Sequence, residues 1–359
     1  MRTIIKDVRV LYFILFALVG LSYIFGVALD VLGKNHIYVR TIVICYLLCV
    51  IFFSLMINPK ISRIQIYLFI IILSLVFLWF THNSPIVINF IFLMMFIFLT
   101  QTKKLTKVEF ISSGLVAMTF VLLIYLFYLM LSGLSLEPVI IGERERYSFG
   151  FTNPNKMGVI CYSLVTMASI YSLKLNKSLY KLTLLVFPCL VIMFYTDSRT
   201  AMLATIIFLL MSMSNFWIKF RKVLWLLPII LLIASLYLAV FDISDSLNKF
   251  LSYRPNDFNY FVSQTSAYDF LIGTSSEEYR LDNSYLLMYF NMGPVLFLLL
   301  VYSVKRFSNL NKCRYDFAFI VSVLVYGFFE GILVRMEFII ILYFYFVLFS
   351  RTDDIEAKL

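Results

Sequence analysis

Arginines stand beside helix-capping residues at three places in this chain. Arg144 and Arg146 precede Asn153 and Pro154, Arg199 follows Ser198, and Arg280 precedes Asp282 and Asn283. Asn, Ser and Asp accept hydrogen bonds from the free N–H groups of a helix start, and Pro suits the first helical position. A helix start also presents the positive end of its dipole, and with guanidinium forks nearby it suits a phosphate or pyrophosphate group. Each residue also has a plainer use, because every helix start needs a cap and arginines at the ends of apolar helices snorkel toward polar surroundings. Arg144 or Arg146 can equally pair with the adjacent Glu143 and Glu145. Arg199 stands out, since a charge within a turn of an apolar segment costs roughly 2.5–3.5 kcal/mol if it goes deep. The carboxylates Asp282, Glu143, Glu145, Glu277 and Glu278 are the available general bases, and the sequence does not choose among them. Glu330, Arg335 and Glu337 flank a tight turn and read as a charge-paired structural turn, and His36 and His82 read as polar residues near helix ends.

The elements that must position these residues are apolar. Of 359 residues 62% are hydrophobic and 14% charged, with a mean hydropathy of +0.94, well beyond the roughly 45–50% apolar share of soluble chains. Apolar runs of about 17–22 residues, long enough to cross the hydrocarbon of a bilayer as helices, recur along the chain. They predict about twelve transmembrane spans, near 10–29, 41–57, 64–80, 85–100, 109–131, 154–173, 181–196, 200–216, 223–241, 283–304, 315–331 and 336–350. The first run has the charged front of a signal peptide but no small-residue cleavage site, so a retained span is expected. The expected fold class is an all-α polytopic membrane protein, one transmembrane domain over 1–359 with no internal repeat or second domain.

With the N-terminus inside, about two thirds of the 30 Lys and Arg residues fall in cytoplasmic segments, which predicts both termini on the cytoplasmic side. Two outer segments are long, 132–153 and 242–282, the latter a large extracytoplasmic loop. Long connections without structure of their own tend to be functional, so the active surface is expected to face outward. The loop aromatics Tyr253, Phe258, Tyr260, Phe261, Tyr268, Phe270 and Tyr279 suit either sugar faces or the bilayer interface. The net charge of +10 is spread over short loops, which argues against nucleic acid. The five cysteines have no disulfide or zinc spacing, and no nucleotide-binding glycine loop is present.

Three of these regions resemble the O-antigen and capsular polysaccharide polymerase (Wzy-type) family, within the O-antigen ligase superfamily. They are Gly150, Phe151, Thr152, Asn153, Pro154, Asn155 and Gly158; Thr196 to Thr200; and Asp282, Asn283, Ser284 and Tyr285, followed by Gly293. Gly273 also resembles the glycine that this family has near the end of its large loop. The resemblance implies a GT-C-like helical enzyme of the bacterial cytoplasmic membrane. It would polymerise undecaprenyl-pyrophosphate-linked oligosaccharide repeat units into surface polysaccharide, without a cofactor, a metal or a nucleotide sugar. It further implies pyrophosphate contact by Arg199, and with less direct motif match by Arg280, Arg144 and Arg146. Asn153, Asn155, Ser198 and Asn283 join the binding set, and Asp282, Glu143 and Glu145 are the candidate bases. A flippase and a chain-length regulator of the same pathway are the implied protein partners.

Two alternatives stand beside it. A ligase of the same superfamily typically has a histidine near the start of the helix after the large loop, where this chain reads Asp282, Asn283, Ser284, Tyr285. A lipid-linked oligosaccharide flippase needs polar residues through the middle of its spans, and here those positions are mostly apolar.

Overall fold

The structure is a computed structural model that describes residues 8–24, 48, 63–82, 85–102, 106–132, 138–141, 144–151, 153–174, 179–241, 243–266, 281–310, 313–335 and 338–349. Among these the chain is mostly helical: α1 Val8–Leu21, α2 Arg63–His82, α3 Pro85–Thr102, α4 Lys107–Ser132, α5 Pro154–Lys174, α6 Leu179–Tyr195, α7 Arg199–Met213, α8 Phe216–Phe220, α9 Leu226–Val240, α10 Asp245–Phe250, α11 Arg254–Ser263, α12 Ser284–Leu310, α13 Arg314–Phe329 and α14 Ile339–Phe349. Helices occupy all the apolar stretches expected from the sequence except 41–57, which lies outside the described residues save Leu48. By length and composition, α4 and α5 are apolar enough to cross a membrane, and a third span is present if α7 and the bent segment after it count as one.

Two expectations are corrected. The segment 132–153 is not structureless, since β1 Pro138–Ile141 and β2 Arg144–Tyr147 form an antiparallel hairpin there, pairing Val139 with Arg146. Apart from this short hairpin the regular elements among the described residues are helical, as the all-α reading expected. The large loop 242–282 carries α10 and α11, and Phe258 and Phe261, three apart on one face of α11, are buried while Tyr253 and Tyr260 are exposed. Tyr268, Phe270 and Tyr279 lie outside the described residues.

The core is built around α5, α13 and α14. Ile339 to Leu348 of α14 are all buried, as suits a helix that is apolar all round. α13 packs most extensively on α7, and α5 lies against both α6 and α7. Gly158 permits the α5–α7 approach, because a Cβ there would collide with the Ser198 side chain. α12 is interrupted at Gly293, whose φ of 77° and ψ of 164° are open only to glycine, with Pro294 restarting the helix. The exterior keeps large apolar side chains, among them Phe77, Phe127, Met130, Phe194 and Leu210, a surface suited to hydrocarbon.

At one end, Asp316 at the start of α13 is fully buried and takes Lys107 Nζ of α4 and Lys174 Nζ of α5, each at 2.7 Å. This three-helix clamp fixes the frame from which the opposite ends project.

Candidate functional site

At the end away from that clamp, the starts of α5, α7 and α12 come together. Asn153 caps α5, its Oδ1 accepting the Asn155 N–H at 2.9 Å. Before α12 the capping residue is Asn283 rather than Asp282, with Oδ1 accepting the N–H groups of Tyr285 at 3.0 Å and Leu286 at 2.9 Å. Its Nδ2 donates to Ser235 Oγ and to the Phe328 carbonyl, both at 2.8 Å, so the buried Asn283 amide is engaged within the chain. Ser198 also departs from expectation. It stands at the N-cap of α7, yet its side chain makes no capping bond, and its buried Oγ meets no hydrogen-bond partner among the described residues.

The three helix starts converge on Glu330. The span expected over 315–331 ends at Phe329, which leaves Glu330 in the turn outside the helix. Its Oε1 accepts from Asn155 Nδ2 of α5 at 3.0 Å, Thr200 Oγ1 of α7 at 3.3 Å and Arg254 Nη2 of α11 at 2.9 Å. Its backbone carbonyl accepts from Ser284 Oγ of α12 at 2.7 Å. All three side-chain donors reach the same oxygen, and Oε2 meets no donor among the described residues.

This overturns the reading of Glu330 as a self-contained charged turn. Its ion pair is with Arg254, 76 residues away, while Arg335 acts on it by charge without forming an ion pair. Burial, then the neighbouring Asp282 charge, pushes the Glu330 carboxyl up to about 7, against the pull of Arg254, Arg335 and the Thr200 hydroxyl. Burial and Asp282 likewise raise the Asp257 carboxyl, with Arg254 opposing.

Arg146 holds the hairpin to this cluster. Strand alternation places Arg146 and Glu145 on opposite faces of β2, so Arg146 turns inward and Glu145 is exposed. The Arg146 guanidinium donates to Asn155 Oδ1 at 2.6 Å, to the Thr196 carbonyl at 2.9 Å and to the Asp197 carbonyl at 3.1 Å. Asp197 adopts a left-handed conformation, φ 45°, which Asp tolerates better than most residues. The result is one chain of contacts, Arg146 to Asn155 to Glu330 to Arg254.

Arg199, the first residue of α7, is half exposed, with Nε on Asp197 Oδ1 at 3.1 Å. Asp282 is half-buried beside Glu330 and Asp257. Glu143, Arg280, Glu277, Glu278, Thr152 and Gly273 lie outside the described residues, as does the side chain of Arg144. The sequence reading missed Arg254, Thr200 and Asp257. One local signal was present, the Arg254–Pro255 pair, a helix start like the other three.

Among the described residues no three His, Cys, Asp or Glu side chains come together as a metal site. A cavity of about 1130 Å³ lies elsewhere, between α2 and α12, lined mainly by apolar side chains such as Phe77, Pro294 and Leu296 together with Arg306. The cluster, by contrast, brings cationic, anionic and amide groups together. A half-exposed arginine at a helix start can take an anion, and a buried carboxylate can take a proton. None of the family models, curated proteins or solved structures compared with the chain matches it.

Proposed function

We propose that the chain is a lipid-linked oligosaccharide polymerase of the bacterial cytoplasmic membrane, crossing it about twelve times with the cluster outside. It takes a growing glycan from undecaprenyl pyrophosphate and transfers it to the end sugar of a second lipid-linked repeat unit. One observation supports this above the rest: the three helix starts that resemble the polymerase family each contribute a side chain, Asn155, Thr200 and Ser284, to the contacts of Glu330.

In this reading Arg199 binds the pyrophosphate, assisted by the dipole of α7, while Arg146 and Arg254 set the shape and charge of the adjacent wall. As the bond from anomeric carbon to pyrophosphate oxygen lengthens, negative charge grows on the leaving group. A guanidinium placed there stabilises that charge, an effect worth roughly 2.7–4 kcal/mol per donor in comparable sites.

The test is to delete the gene in its source organism and separate the lipid-linked glycans and surface polysaccharide on a gel. Single repeat units on the carrier at the outer face, with no polymer, are expected. Arg199→Ala and Arg199→Lys should both fail to restore polymer, because Lys lacks the fork. Units trapped on the cytoplasmic face would instead indicate a flippase, and full-length polymer left on the carrier a ligase.

A further inference from the structure

We propose that Glu330 is the general base of the transfer, its Oε2 taking the proton of the acceptor sugar hydroxyl. This assignment rests on the polymerase reading above. It differs from the bases that the sequence suggested, and geometry is the reason. A base must be held in place while keeping one lone pair for the incoming proton. Glu330 meets both conditions, with three donors on Oε1 from three separate elements and Oε2 left without a donor among the described residues. About a tenth of the side chain remains exposed, which leaves the carboxylate a route to a substrate. Glu145 is exposed on the far face of its strand, and Asp282 is only half-buried.

In the reaction, the acceptor O–H bond breaks toward Glu330 Oε2 and the oxygen bonds to the anomeric carbon. The bond to the pyrophosphate oxygen breaks, and its electron pair leaves with the lipid carrier. Glu330 then releases its proton to water. Among the described residues, the charged and titratable groups around it are Arg254 on α11, Asp282 ahead of α12, Arg335 after the turn and Tyr326 on α13, with Asp257 facing Asp282 and Arg254. Burial holds the carboxyl near 7, where a base is both ionised and strong enough to take a proton.

The experiment uses the full-length protein in lipid nanodiscs and the lipid-linked repeat units extracted from the deletion strain, with kcat and KM followed from pH 5.5 to 9. Wild-type kcat should rise with pH through about 7. Glu330→Gln should lower kcat about 100-fold with little change in KM, and Glu330→Asp should recover part of the loss. Asn155→Ala removes a donor that favours the ionised carboxylate, so the acid limb should move to higher pH, a shift that a purely structural role would not produce. Should Glu330→Gln fail to fold, that shift still decides the matter. Polymer from wild type together with undiminished kcat in Glu330→Gln, or an acid limb unmoved by Asn155→Ala, overturns the base assignment alone. A wild type that makes no polymer overturns the polymerase reading and the base with it.

Discussion

Glu330 and Arg254 show how a charge is made tolerable in a largely apolar molecule. The Arg254 side chain is only 15% exposed and that of Glu330 10%, so removing either partner strands the other. Arg254→Met is expected to cost about 3–5 kcal/mol, and the combined Arg254→Met, Glu330→Met chain should recover much of it. Unfolding of the two variants in the same detergent would measure this. Asp257 behaves differently. Its carboxyl is raised by burial and by Asp282, so its ionised form is disfavoured in the folded chain. That penalty is absent at low pH, where folded and unfolded chains are both protonated, and it is complete once pH exceeds the raised folded value. Asp257→Asn should therefore raise the melting temperature at neutral pH, with the gain fading as pH falls through the carboxylate range. A gain independent of pH would contradict the electrostatic account.

Among the elements, α7 and α12 depend on two glycines for different reasons. Gly158 gives α7 room to approach α5 where Ser198 is buried, and so helps bring Thr200 beside Asn155. Gly293 holds a conformation that side chains rarely adopt and divides α12 into two helices. Gly293→Ala is expected to cost about 1–3 kcal/mol through backbone strain, seen as a lower melting temperature. Because the break lies well past Ser284, contacts at the start of α12 should survive, and residual polymer formation would report that. The hairpin acts as a third positioning element, since Arg146 reaches carbonyls of the α6–α7 turn about 50 residues along the chain.

At the scale of the molecule, the ion pairs among the described residues gather at two ends. Asp316 with Lys107 and Lys174 closes one end, and Arg146, Arg254, Glu330, Asp257 and Asp282 gather at the other. The surface between them presents apolar side chains outward. The proposed orientation places α10 outside and the basic turn around Lys222 inside. Ser246→Cys should then react with a membrane-impermeant maleimide in intact cells, and Lys222→Cys only after permeabilisation. The opposite pattern would invert the topology and remove the cluster from the outer face.

The helices and most of their limits were legible because apolar run length, a capping Asn and a following charge are local features, and α5 begins at Pro154 as its Asn153–Pro154 pair implied. Arg146 and Asp282 were legible as candidates for the same reason, and Asn155 only through the resemblance of its motif to the polymerase family. The hairpin around 138–147 was not, because its strands are four residues each and carry little periodicity of their own. Nor was the buried, multiply bonded setting of Glu330, since beside Arg335 it has the local pattern of a charged turn. Only folding brings Asn155, Thr200 and Arg254 to it, from 175, 130 and 76 residues away. Local pattern determined where helices form and where polar residues interrupt them. Packing across the bundle decided which carboxylate is buried, which partners hold it and which of its oxygens meets no donor among the described residues, because burial and charge pairing depend on neighbours that the linear order keeps apart.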